Sequence, residues 1–362
     1  MSDLKVLYVI TVELGKNGIA SCVLNYARKL KKKGLSISIA APEKVSDTIR
    51  QEIEADGVRL VELPFRKNNL KAYVAVLYKE LKREHYDIVH VHGNSCTMAI
   101  ELLIAELAGC RVRIAHSHNT TCIHKRANMI LRPLFELTCN GRVACGDDAG
   151  KWLFQKKPFT IVKNGIRLDQ YRYKESVRQH MRQQLDVRDE DVLLGHVGLF
   201  NEQKNHSFLI DVFAELYKKD TNYKLLCIGD GPERHRVEEK VEKLDLQKVV
   251  IFTGNVDRVS DYLQAMDCFL MPSLYEGVPF AAIEAQAAGL PVIVSDQVSD
   301  EVNISGHVKF CKLDRTAWCD AVQKESLNRE NNENMLRDNG YDIMANAEEL
   351  KSLYEHMIGG RR

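Results

Sequence analysis

Short apolar runs rich in β-branched residues alternate with helical patterns along nearly the whole chain. In the first half these runs predict strands over 6–11, 36–40, 58–63, 88–92, 112–116, 142–144 and 160–162. In the second they predict strands over 193–197, 224–228, 249–252, 268–271, 292–295 and 309–311. Such β-α alternation implies parallel sheets with helices on both faces, and two series of it imply two doubly wound α/β domains. The polar stretch YRYKESVRQHMRQQLDVRDED, between Tyr171 and Asp191, separates the two series and reads as the seam. Near the end, Ile343, Ala347, Leu350 and Tyr354 fall at helical spacing and predict a final amphipathic helix. Ligands of open parallel sheets sit beyond the carboxyl ends of the strands, so two such sheets are expected to face each other across a cleft.

A length of 362 residues exceeds what one core fills, which agrees with two domains. The 45% hydrophobic and 28% charged composition is that of a globular protein. Its apolar runs fall far short of the roughly 20 residues that span a bilayer. The start has no basic segment with a cleavage site, so the expected location is the cytoplasm. Ten cysteines occur singly, without a Cys-x-x-Cys pair, as reduced packing residues do. The net charge of +1 conceals an asymmetry: residues 1–165 hold 26 Lys/Arg against 16 Asp/Glu, and the remainder hold 25 against 34. A basic first half suits an anionic lipid surface, an anionic substrate or simply a solvated face. No nucleic-acid module, low-complexity run or short-period repeat is apparent.

The chemistry concentrates in SLYEGVPFAAIEAQAAG. A strand ending DCFLMPS runs into a loop; Pro279 suits the first turn of a helix and Gly289 its end. The amides near Phe280 and Ala281 would then be available to an anion. Glu284, one turn in, could accept from a vicinal diol such as ribose, and Glu276, before the helix, could meet a group beyond the phosphates. Both glutamates could equally do no more than complement the helix dipole. Lys204 opens a helix after another strand, a good place for a diphosphate partner or for a solvated lysine. Gly229 and Gly231 in CIGDGPER permit close backbone approach, but a dinucleotide fingerprint needs a third glycine where Arg234 stands. In the first half Gly18 lies between strand and helix. His90, His92, His116 and His118 lie at strand ends with no His-x3-His helix or glutamate beside them, so each is a buried or capping histidine or, for the 116–118 pair, a catalytic or acceptor-binding one.

The segment from Glu276 to Glu284 followed by AQAAGLPVIVSD resembles the E-x7-E signature of the retaining glycosyltransferases of family 4, in the context of bacterial capsular and exopolysaccharide members. LNYARKL, DIVHVHG, RIAHSHNT, VKNGI, GLFNEQKNH, GDGPE and VIFTGNVDRVSDYLQAMDCFLMPSLYEG follow in family order over nearly the whole chain. The resemblance implies the GT-B fold: an acceptor-binding Rossmann-like domain over 1–175, a donor-binding one over 176–340, and a helix over 341–362 crossing back to the first. It implies a nucleotide-diphosphate sugar as donor, most often UDP-linked, with no cofactor and no metal. Glu284 would bind ribose, Lys204 and the amides of Phe280 and Ala281 the diphosphate, and Gly229 and Gly231 would face the nucleotide. Gly18 and Asn17 would approach the phosphates from the other domain, while His116, His118 and Glu276 would lie by the donor sugar. The expected acceptor is a polysaccharide or lipid-linked saccharide. Peripheral contact with the inner membrane face through the basic first domain would follow from RKNNLKAYVAVLYKELKRE and HKRANMILRPLFELT, which mix cations with apolar faces. Two positions depart from the family: Leu199 stands where most members have arginine after the phosphate-loop glycine, and Asn17 where many have a second glycine. Arg258 is one conceivable substitute cation. Leu199 also leaves open a weakly active or inactive nucleotide-sugar-binding partner of another transferase.

Overall fold

The computed structural model describes residues 4–15, 17–42 and 45–360. They form two compact units, the first comprising residues up to Gly165 together with those from Asp342 onward, the second Ile166–Tyr341.

In the first unit, strands β1 (Lys5–Ile10), β2 (Ser36–Pro42), β3 (Arg59–Leu63), β4 (Ile88–Gly93), β5 (Val112–Ser117), β6 (Gly141–Ala144) and β7 (Thr160–Ile161) make one parallel sheet. Their order is β3-β2-β1-β4-β5-β6-β7. The central strands are buried almost without a break because helices cover both faces, which explains why they read as continuous apolar runs. The helix Gly18–Lys32 buries Ile19, Ala20, Val23, Tyr26, Ala27 and Leu30, one apolar stripe at three- and four-residue spacing. The closing helix Ile343–Gly359 is capped by Asp342, whose carboxylate accepts from the Met344 amide, and buries Ile343, Ala347, Leu350 and Tyr354.

In the second unit, β8 (Val192–Val197), β9 (Tyr223–Ile228), β10 (Val250–Gly254), β11 (Cys268–Met271), β12 (Val292–Ser295) and β13 (Val308–Cys311) are also all parallel, in the order β10-β9-β8-β11-β12-β13. One core packs Phe213, Leu216, Val237 and Trp318 against the sheet. The Ile166 amide donates to the Tyr341 carbonyl at 2.9 Å, which ties the two ends of this unit together. The division at Gly165/Ile166 lies ahead of the polar stretch that begins at Tyr171 and of the boundary after residue 175 that the resemblance implied, because contacts and not composition fix it.

Both sheets reverse strand order once, between β1 and β4 and between β8 and β11. At such a switch point neighbouring loops leave in opposite directions and open a crevice at the carboxyl ends of the strands. The ten cysteines are free, nine of them buried.

Candidate functional site

In the second unit the switch-point crevice is walled by the loop 198–204 after β8 and the loop 272–279 after β11. The two loops are laced together: the Leu274 amide donates to the Gln203 carbonyl at 2.8 Å, and the Gln203 side chain to the Tyr275 carbonyl at 2.9 Å. Asn201 starts the turn Glu202–Lys204 by accepting from the Lys204 amide at 3.0 Å. Lys204 then reaches across, and its Nζ lies 2.7 Å from Glu276 Oε1, both side chains being mostly buried. A β-bridge from Glu276 to Val298 and the Ser299 amide on the Glu276 carbonyl fix the glutamate backbone.

The helix Phe280–Ala287 follows, with Pro279 at its N-cap in an extended conformation and no side-chain cap. Pro279 thus stands one position before the first turn where the sequence placed it. Since Ala282 and Ile283 already donate to the Pro279 carbonyl, the amides that precede them, of Phe280 and Ala281, form the anion-attracting end of the helix. Glu284 lies one turn further on. Its Oε1 accepts from the Tyr171 hydroxyl at 2.8 Å. Burial pushes the Glu284 carboxyl above the usual carboxylate range, and the Tyr171 hydrogen bond opposes that shift.

A third loop presses on the first. Gly229 and Gly231 adopt φ of +134° and +154°, and a Cβ on them would lie 2.0 Å from the Gly198 carbonyl oxygen and 2.5 Å from that of Phe200. Only glycine fits at either position. The Phe200 amide donates to the Asp230 carbonyl and the Glu233 amide to the Phe200 carbonyl, both at 2.9 Å. Under this loop His206 stacks on Phe200 with ring centroids 3.8 Å apart. Leu199, beside these contacts, is 42% exposed. Arg258 is exposed and pairs with Asp261 at 3.1 Å.

In the first unit the four histidines form one stack on one face of the sheet. His116 and His118 have ring centroids 4.1 Å apart, His90 and His92 4.4 Å, and the register places His92 directly opposite His116. His92 Nδ1 and His118 Nε2 lie 3.0 Å apart. His90 Nδ1 lies 2.6 Å from the Tyr354 hydroxyl, which donates on to Tyr8 at 3.0 Å. Burial, reinforced for His90, His92 and His116 by the neighbouring imidazoles, holds those three far below the ordinary histidine value and brings His118 down to about 3, so all four rings are neutral near pH 7. Cys22, His92 and His118, and His90, His92 and His116, each bring potential metal-ligating atoms within 4.8 Å. The ring planes of His90, His92 and His116 lie within 18–38° of parallel. Asn17 caps the helix that begins at Gly18: its Oδ1 accepts from the Ala20 amide at 3.0 Å and its Nδ2 donates to the Glu13 carbonyl at 2.9 Å.

The sequence marked Lys204, Glu276, Phe280, Ala281, Glu284, Gly229 and Gly231 separately, and the fold brings them to loops at one sheet edge. It gave no sign of Tyr171, which sits in the stretch taken as a seam, or of Tyr8, and it marked Tyr354 only as part of the apolar face of the last helix, not as a partner of His90. Their partners lie 113, 82 and 264 positions away along the chain.

Comparison with known proteins matches residues 16–170 to the model of Glycosyltransferase Family 4 and residues 177–342 to that of Glycosyl transferases group 1. The putative glycosyltransferase EpsF of Bacillus subtilis is 29% identical over 98% of this chain and 97% of its own length. An Escherichia coli UDP-Gal:alpha-D-GlcNAc-diphosphoundecaprenol alpha-1,3-galactosyltransferase is 26% identical over 78% of each. Among solved structures, Anabaena Alr3699/HepE in complex with UDP and glucose superposes with a TM-score of 0.82 at 15% identity, covering 97% of this chain and 99% of that one.

Proposed function

The chain belongs to the family 4 glycosyltransferases of GT-B fold, and from that premise we propose that it moves a hexose-type unit from a uridine diphosphate sugar to a polysaccharide or lipid-linked saccharide, with retention at the anomeric carbon. The observation that carries this reading is the convergence of Lys204, the Phe280–Ala281 helix end and Glu284 on the crevice of the second unit. A cation and a helix N-terminus suit a diphosphate, and a carboxylate one turn along suits the adjoining ribose. The UDP bound by Alr3699/HepE and the UDP-galactose of the Escherichia coli relative favour uridine as the base.

In this account the phosphates of the donor bind at the helix end and Lys204, and Glu276 lies by the sugar. As the glycosidic bond lengthens, negative charge grows on the departing diphosphate, and in this account Lys204 and the two amides stabilise it; such charge stabilisation is the main catalytic contribution. The leaving phosphate itself accepts the proton of the acceptor hydroxyl on the same face. No side chain has to serve as nucleophile. His116 and His118 are neutral and act as hydrogen-bonding groups near the sugar, not as cations. The acceptor is assigned to the first unit. Its exposed Ile123, Met129, Ile130 and Leu137, with Lys125 and Arg126 on the same segment, support contact with an anionic lipid surface.

A thermal-shift screen over nucleoside diphosphates and their sugars tests the donor assignment. Uridine diphosphates are expected to stabilise the chain by about 2.7 kcal/mol at a hundredfold excess over Kd. If no nucleotide moves the melting temperature at millimolar concentration, the assignment fails. A second reading, a weakly active nucleotide-sugar-binding partner of another transferase, is favoured by one observation: the exposed Leu199 brings no charge to the phosphate loop.

A further inference from the structure

We propose that Tyr171 is a positioning residue for the donor ribose, holding the Glu284 carboxylate so that its remaining lone pairs accept both hydroxyls of a vicinal diol. This rests on the reading that Glu284 meets ribose.

Tyr171 closes the turn Leu168–Gln170 and is itself held in place. Its amide donates to the Leu168 carbonyl at 3.1 Å, and its carbonyl accepts from Gln264 Nε2 at 3.1 Å. The other end of the Gln264 amide accepts from the Lys174 backbone at 3.0 Å, so a buried glutamine ties down the segment 171–174 that follows the turn. With the ring 9% exposed and its backbone tied down, the hydroxyl is a fixed point. Among the described residues it is the one hydrogen-bond donor to the Glu284 carboxylate.

An ionised carboxylate offers about four acceptor sites. Tyr171 occupies one on Oε1, and a diol needs two. A glutamate without the phenol would have to lose side-chain freedom when the nucleotide arrives; here that ordering is already done. The phenol also resists the protonation that burial favours, which matters because a protonated carboxyl has fewer acceptor sites. Burial and the Glu284 carboxylate hold the Tyr171 phenol protonated, against the smaller opposing pull of the Arg167 guanidinium. The rival interpretation makes Tyr171 a latch that competes with ribose for the carboxylate, and the two differ in the sign of the effect when the hydroxyl is removed.

The test is calorimetric titration of the full chain with UDP and with 2′,3′-dideoxy-UDP, using wild type, Tyr171→Phe, Glu284→Gln and the double variant at pH 7.5 and 5.5. Wild type should prefer UDP by roughly tenfold or more, the value of a charge-assisted hydrogen bond. Tyr171→Phe should weaken UDP by about three- to tenfold and dideoxy-UDP by less than about twofold, with the ratio between them falling further at pH 5.5. Adding it to Glu284→Gln should cost nothing more. Tighter or unchanged UDP binding by Tyr171→Phe overturns the proposal in favour of a latch or a bystander, and equal losses for both nucleotides show a merely structural role. If wild type itself does not distinguish the two nucleotides, the ribose assignment of Glu284 fails first and takes this inference with it.

Discussion

Lys204 and Glu276 form an ion pair of 2.7 Å that joins the loop after β8 to the loop after β11, and the residues proposed for diphosphate and sugar are thereby each other's partners. Each variant should therefore do a different thing. Lys204→Ala removes a phosphate contact and strands a mostly buried carboxylate, so UDP affinity should fall by about tenfold or more and stability by about 1–3 kcal/mol. Glu276→Gln releases the ammonium, so UDP binding should hold while kcat drops. Titration calorimetry beside steady-state kinetics separates the two. Parallel losses of UDP affinity in both variants would mean that the pair is only a loop staple.

Leu199 leaves the loop proposed for the phosphates without a charge that the family usually supplies. Leu199→Arg places a guanidinium on a position already 42% exposed, where it costs little to accommodate. A new charge-assisted contact is worth about 1.5–3 kcal/mol, which is roughly ten- to a hundredfold in kcat/KM. An unchanged kcat/KM in that variant would show that another group already neutralises the phosphates.

The helix Lys125–Thr138 and the segment before it expose Ile123, Met129, Ile130 and Leu137 beside cations, and the helix Leu70–Glu84 exposes Leu70, Val76 and Tyr78 beside Lys71, Lys79, Lys82 and Arg83. No helix among the described residues is long and apolar enough to cross a membrane, and the contact proposed for these faces is a peripheral one. Flotation with anionic vesicles should retain the chain at low salt and lose part of it at high salt, since surface charge is screened within about 10 Å at 0.1 M. Met129→Ser with Ile130→Ser should abolish retention. Indifference to lipid at both salt concentrations contradicts the contact.

Five buried imidazoles and the half-buried His118 should make the fold sensitive to acid. Burial holds His118 at about 3, His196 at about 4 and His206 at about 2, and His90, His92 and His116 well below 6.5. Below pH 6.5 the unfolded chain takes up protons that the native rings refuse, so native stability falls as pH drops, by up to about 1.4 kcal/mol per pH unit for each ring. Glu101 and Glu284, raised by burial, act in the opposite direction but are two against six. Urea unfolding at pH 7.5, 6.5 and 5.5 should show the midpoint falling steeply over the last interval. A flat midpoint would mean that the rings become charged in the native state.

The thirteen strands were legible because each is a short apolar run bounded by polar residues, down to Thr160–Ile161, where two ladder residues remain of the three expected. The placement of the candidate residues was legible wherever a residue type was tied to a local position: a glutamate one turn into a helix, a lysine at a strand-to-helix junction, glycines at a tight turn. What escaped was pairing. Nothing in the spacing of Lys204 and Glu276 says that they touch, and Tyr171, among arginines and glutamines, has the composition of a linker while its hydroxyl holds Glu284. Asn17 was read against the glycine of relatives, yet its side chain does what asparagine does best before a helix.

Hydrogen exchange of the full chain, with and without UDP, tests the donor site most directly. Binding should slow exchange in the segment 276–288, with the strongest protection at the amides of Phe280 and Ala281, and Glu284→Ala should remove that protection at the same UDP concentration. Saturating UDP that leaves those two amides exchanging at their free rate, while another segment is protected, would place the nucleotide elsewhere and contradict the account.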